Sequence, residues 1–185
     1  MKHVFLNSGQ FFVTLSQIKE KYMANDGKIK LLFICLGNIC RSPAAQGIME
    51  HLAEVRGVSH RFLIDSAGIG SWHVGDLPDR RMREHGRRHG YTFDHRARQF
   101  HASADFDRFD LILTMDDANF VEITGQALTD EERAKVVPLA RFLRHHPQAH
   151  DIPDPYYGGD AGFERVIALL EDACEGLLAS FLEEK

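Results

Sequence analysis

Cysteine is scarce in this sequence: Cys35, Cys40 and Cys174 are all that its 185 residues contain. An odd and sparse set builds no disulfide framework, and it points to a reducing compartment, the cytoplasm. No apolar stretch is long enough to span a bilayer. Basic residues are not in excess: 22 Lys and Arg against 27 Asp and Glu give a net charge of −5. That balance argues against nucleic acid as a main partner. Nor does the beginning of the chain read as a signal peptide. Its apolar residues are interrupted by Asn7, Ser8, Gly9 and Gln10, and no small-residue cleavage site follows. His145, His146 and His150 lie close together, but no cysteine or carboxylate completes a ligand set at reliable spacing. A solvated loop is the better reading there, with no metal site.

What is present is an ordinary globular composition, 44% apolar and 26% charged, enough for one domain with a full-sized core. Residues 29–185 carry the regular patterning, and residues 1–28 stand apart as an extension. Phe11, Leu15, Ile18 and Tyr22 fall at helical spacing there, with Thr14 and Gln17 able to form a capping box. A short helix, a tail or an upstream start ahead of Met23 are the readings open for this part.

The chain is organised around residues 30–45. Leu31, Leu32, Phe33 and Ile34 run without alternation, as in a strand buried on both faces of a parallel sheet. The run ends at Cys35. Gly37 and Asn38 follow, and both tolerate left-handed backbone angles. Ser42 and Pro43 read as a helix cap and first helical residue, and Ala44, Ala45, Ile48, Met49, Leu52 and Ala53 continue at helical spacing. A strand, a tight loop and a helix N-terminus in this order make an anion site: the amides of Leu36, Gly37, Asn38, Ile39, Cys40, Arg41 and Ser42 can point inward, and the helix dipole adds positive charge. Arg41 adds a planar cation able to grip two phosphate oxygens. Such a ring favours the thiolate of Cys35, placed for in-line attack on phosphorus. Cys40 and Cys174 have Gln46 and Ser180, not arginine, at the same spacing.

Further along, residues 61–65 form a second strand, from which Ser66, Ala67 and Gly68 turn out. Residues 78–90 read as a helix with Met82 inward and a solvated basic face of Arg80, Arg81, Arg83, Arg87 and Arg88. Residues 109–115 and 135–139 are further strands, with Asp116 and Asp117 capping a helix between them. Phe163, Val166, Ile167, Leu170, Ala173, Leu177, Leu178 and Phe181 make one apolar helical stripe, beside which Cys174 packs. Strands alternating with helices predict a three-layer α/β sandwich with a mainly parallel sheet.

The string C-L-G-N-I-C-R-S-P at residues 35–43, followed by D-P-Y-Y at residues 154–157, resembles the low-molecular-weight protein tyrosine phosphatase family. The resemblance covers nearly the whole chain from Lys30. It implies a four-stranded sheet of order 2-1-3-4 and hydrolysis of phosphotyrosine or other aryl phosphates through a phosphocysteine. It implies Cys35 as nucleophile, Arg41 as phosphate clamp and Asp154 as general acid, with no cofactor. Ile39, Trp72, His73, Tyr156 and Tyr157 would wall the opening, although Trp72 also fits a surface anchor. Ser42 and Ser66 would support the loop, Ser66 through Asn38 or else as a simple turn serine. Cys40 would trap oxidised Cys35 as a disulfide or else only pack. The expected partners are phosphotyrosine-containing proteins or small aryl phosphates, met by a monomer. Arsenate reductases of the same fold recruit further cysteines that this chain lacks. Protein arginine phosphatases typically carry threonine where Ile39 stands, without the paired tyrosines. A silent phosphotyrosine-binding module would not need Cys35, Arg41 and Asp154 together.

Overall fold

A computed structural model of the protein describes Glu20 and residues 27–182. The helix expected around Phe11 to Tyr22, with its capping box, lies outside the described residues apart from Glu20.

Four parallel strands form one sheet in the order β2-β1-β3-β4. They are β1 (Ile29–Cys35), β2 (Phe62–Gly68), β3 (Leu111–Thr114) and β4 (Val136–Pro138). The order matches the expectation. The unbroken apolar run of β1 has a simple cause: period two sends alternate side chains to opposite faces, and both faces are covered. Leu31, Phe33 and Cys35 join the core under helices α1 (Arg41–Val55) and α6 (Asp160–Leu182). Leu32 and Ile34 join a second core with Phe106 of α3 (Ala102–Arg108) and Ile123 of α4 (Asp117–Gly125). Each such side chain taken fully out of water contributes about 1.5–3 kcal/mol. Helix α2 (Arg80–Arg88) packs on α6, and the short α5 (Asp130–Ala134) precedes β4.

Strands β3 and β4 are shorter at both ends than the expected 109–115 and 135–139, and three further differences bear on the site. Strand β2 does not end at Asp65 but runs through Ser66, Ala67 and Gly68, placing Gly68 beside Cys35. Helix α1 begins at Arg41, one residue before the expected cap; Cys40 holds the cap position without a side-chain bond. The Ser42 hydroxyl is committed to the loop instead, and Pro43 sits in the first turn, where its missing N–H leaves no bond unmade. Helix α2 is shorter than expected and is capped by Asp79, whose carboxylate accepts from the Arg81 amide.

The apolar stripe of α6 is buried as predicted. One acid lies within it. The Asp172 carboxylate, 4% exposed, accepts from the backbone amides of Arg144 and His145 and from the Nδ1 atoms of His145 and His146. Two of the three clustered histidines are therefore spent on pinning this loop to α6. No group of three or more metal-ligating side chains occurs among the described residues.

Because β1 lies between β2 and β3, the chain reverses its direction of travel across the sheet there. Sheets with such a reversal bind ligands at the carboxyl ends of the two strands that flank it, here β1 and β3. Cys35 ends one strand, and Asp116 follows the other.

Candidate active site

Residues 36–40 bend from β1 into α1 around Asn38, whose φ of 55° lies in the left-handed region. Asparagine tolerates this better than most residues. Its side chain is then fully used. Nδ2 donates to Ser42 Oγ and Ser66 Oγ, both at 2.9 Å, and Oδ1 accepts from the Arg98 amide at 2.9 Å. Ser66 passes its own proton to Gln46 Oε1 at 2.8 Å. All of Asn38, Ser42 and Ser66 are buried, so each unmade bond would cost about 1–3 kcal/mol.

The Cys35 sulfur accepts from the Asn38 amide at 3.3 Å and lies 3.0 Å from Ser42 Oγ. Ser42 already accepts from Asn38, so its proton is available to the sulfur, with the Ala67 carbonyl farther off at 3.4 Å. The amides of Gly37, Ile39 and Cys40 donate to no protein group among the described residues. With the start of α1 they leave a set of unspent donors in the turn that carries the sulfur, which is what an anion site requires.

Arg41 is 2% exposed. Its Nη1 donates to Asp116 Oδ2 at 2.5 Å and to the Ile152 carbonyl at 3.2 Å, and its Nη2 donates to Asp154 Oδ2 at 2.7 Å. Nε is buried without a partner. Burial opposes the guanidinium charge, but Cys35, Asp116 and Asp154 outweigh it and hold the pKa above its ordinary value. The result is a permanent cation held through both Nη atoms, with Nε left to meet an anion.

Asp154 is 43% exposed and also accepts from the Tyr156 amide at 3.0 Å. Cys40 is buried, and burial first, then the charges of Asp79, Cys35 and Asp154, push its thiol pKa well up against the opposing Arg81. It stays a neutral thiol. Cys174 is packed inside α6 with the Ala45 carbonyl in reach of its sulfur.

The expected wall residues are less uniform. Trp72 folds its ring over Gly70, whose amide bonds the Leu36 carbonyl, and His73 lies against Gly37 with Nδ1 3.1 Å from Asp76. Both therefore border the loop. Tyr156 is partly exposed beside Asp154. Tyr157 is 97% exposed and meets only the edge of Tyr156. Ile39 is nearly buried, and its carbonyl accepts from the Asp79 amide.

Gly68 closes the site from below. Its amide donates to the Arg98 carbonyl and its carbonyl accepts from Phe100. A side chain there would begin 3.0 Å from the Gly37 carbonyl carbon and 3.1 Å from the Asn38 amide. Several residues that hold the site were not singled out for it by sequence: Asp116, read only as a cap, and Gln46, Asp79 and Arg81. The contacts that tie them to the site, Asp116 to Arg41, Gln46 to Ser66, Asp79 to Ile39 and Arg81 to Tyr156, span 20 residues or more, which no local pattern reports.

Comparison with known proteins finds phosphatases of one fold, with more than one substrate among their names. The family model for low molecular weight phosphotyrosine protein phosphatase matches residues 30–185. A Synechocystis protein named as a low molecular weight protein-tyrosine-phosphatase is 49% identical over 156 residues, covering 84% of this chain and 98% of its own. The crystal structure of YfkJ from Bacillus subtilis superposes with a TM-score of 0.79 at 41% identity, covering 86% of this chain and 98% of that one. A Drosophila arginine phosphatase structure gives a TM-score of 0.77 at 34% identity, covering 85% of this chain and 100% of that one.

Proposed function

This chain belongs to the low molecular weight phosphotyrosine protein phosphatase family, and from that premise we propose that it cleaves aryl phosphate monoesters with Cys35 as nucleophile, Arg41 as clamp and Asp154 as acid. The activity is that of a protein tyrosine phosphatase, a phosphoric monoester hydrolase. The observation that carries the residue assignment is the Cys35 sulfur bonded by the Asn38 amide in a turn whose Gly37, Ile39 and Cys40 amides have no partner among the described residues, with Arg41 joined to Asp154.

The reaction follows in two displacements. Phosphate oxygens take the amides of residues 36–42 and Arg41 Nε, and they claim Nη2 from Asp154. Asp154 then faces the leaving oxygen. The sulfur bonds to phosphorus as the P–O bond breaks, and Asp154 gives its proton to the departing phenolate. Water next attacks phosphorus and loses a proton to Asp154. The S–P bond breaks, and the sulfur leaves toward the Ser42 hydroxyl, 3.0 Å away. Donors fixed before the substrate arrives stabilise the equatorial charge without rearranging.

Tyr156 beside Asp154, with Trp72 and His73 across the loop, favours an aromatic leaving group over phosphoarginine. Phosphotyrosine-bearing proteins are the fitting substrates, and the cytoplasm keeps the thiol reduced. Every group named comes from one chain, so a monomer suffices. The catalytic domain is residues 29–185, with residues 1–28 as an extension. The test is Cys35→Ser, assayed on phosphotyrosine, 4-nitrophenyl phosphate and phosphoarginine. It should bind inorganic phosphate but turn over none of the three. Substantial turnover by a clean preparation would reject Cys35 as nucleophile.

A further inference from the structure

Arg81 was grouped by sequence with the solvated arginines of α2, but its side chain turns back along the helix start. Nε and Nη2 both bond the Asp79 carboxylate, at 3.1 and 2.9 Å. The flat face of the guanidinium lies 4.8 Å from the Phe163 ring centre and 5.4 Å from that of Tyr156. Phe163 is buried in the first turns of α6, immediately after the loop that carries Asp154. Asp79 is itself fastened to the phosphate loop, since its amide donates to the Ile39 carbonyl at 2.7 Å.

These contacts make a continuous strap. It runs from Ile39 through Asp79 and Arg81 to the ring of Tyr156, and then from the Tyr156 amide to Asp154 Oδ1. Burial opposes the charge on Asp79, but the bonds from Arg81 outweigh it and hold the carboxyl below its ordinary range. The charged pair is therefore the persistent state of this link. We propose that Arg81 is a positioning residue that sets the acid loop, and with it Asp154, against the phosphate loop. This rests on the reading of Asp154 as general acid. Arginine is needed because its fork can hold a carboxylate through two nitrogens while its face lies on aromatic rings. Lysine keeps the charge but can do only one of these at a time.

The consequence is selective. Arg81 touches neither the sulfur nor Arg41, so substrates whose leaving group needs no proton should suffer least. The experiment measures kcat/KM, which reports formation of the phosphocysteine, for phenyl phosphate and 4-nitrophenyl phosphate. The variants are Arg81→Ala, Arg81→Lys, Asp154→Ala and Arg81→Ala/Asp154→Ala. A general acid contributes about 10²–10⁴-fold, so its misplacement in Arg81→Ala should lower kcat/KM for phenyl phosphate by about 10-fold or more, with a several-fold smaller loss on the nitrophenyl ester. Arg81→Lys, which keeps the stem and the charge, should show the same bias at lower amplitude and covers the case in which the alanine variant fails to fold. The double variant should lose no more than Asp154→Ala alone, because the two act as one unit. Equal losses on both esters in the Arg81 variants, or losses that add to that of Asp154→Ala, would overturn the role of Arg81 while leaving the acid assignment intact. If Asp154→Ala itself showed no leaving-group bias, the acid assignment would fall and the strap with it.

Discussion

Arg41 Nη1 and Asp116 Oδ2 stand 2.5 Å apart, joining the first turn of α1 to the cap of α4 across 75 residues of sequence. Asp116 does two things at once, since its other oxygen accepts from the Asn119 amide at 2.7 Å. Two substitutions separate these roles. Asp116→Asn keeps a good helix cap but removes the charge that anchors Arg41. Its melting temperature should stay near that of the wild type, while kcat/KM falls, by up to about 100-fold if the guanidinium shifts by an ångström. Asp116→Ala should add a loss of about 1 kcal/mol in stability from the missing cap. Full activity in Asp116→Asn would reduce Asp116 to a cap.

Oxidation offers a second test. Peroxide should convert Cys35 to a sulfenic acid, which Cys40 can then close as a disulfide with loss of water. Wild type treated with peroxide and then with a thiol reductant should regain activity, and Cys40→Ser should regain much less. Burial holds Cys40 as the thiol, so closure should quicken as pH rises, because the attacking species is the thiolate. Equal recovery of the two proteins, with no Cys35–Cys40 bridged peptide by mass spectrometry, would leave Cys40 as packing alone.

Acid stability should depend on Asp172. Burial alone would raise its carboxyl pKa, but His146, His145 and the two loop amides outweigh that and bring it from 3.8 down to about 2. A carboxyl bound more weakly by protons in the folded state stabilises the fold above its ordinary pKa. That contribution fades as pH falls from 3.8 toward 2. Asp172→Asn should be less stable than the wild type at neutral pH, and the gap should narrow across that window. Urea unfolding at stepped pH measures it; a gap that stays constant through the acid range would mean that the Asp172 charge is not what pins the loop.

The central strand, the loop and both chemical motifs were readable because each is local. Four buried apolar residues before Cys35 announce a two-sided strand, and the motif order announces the family and hence the sheet order. The end of β2 is not legible because Ser66, Ala67 and Gly68 look like turn residues; they are extended because they continue the ladder with Phe33, Ile34 and Cys35 of β1, a partner set by tertiary pairing. Ser42 resembles a helix cap by type and position, yet its hydroxyl is claimed by Cys35 and Asn38. Asp116 and Arg81 are visible in sequence only as a cap and a surface charge, since Arg41 for the one and Tyr156 and Phe163 for the other are brought to them by tertiary packing.

Gly68 performs no chemistry, but a Cβ there would press on backbone atoms of Gly37 and Asn38, which would have to give by a few tenths of an ångström. In a survey of all single substitutions scored by activity, position 68 should therefore lose activity as side-chain size rises, with alanine the mildest change and the larger residues approaching Cys35 and Arg41 in intolerance. Ranking by tolerance alone would misfile it as catalytic. What distinguishes it is that alanine, which adds only one carbon, already presses on the loop backbone, whereas a residue that acts through its side chain retains some function in a near chemical equivalent. The steric floor of the site and its reactive groups thus leave the same mark on variation for unrelated reasons.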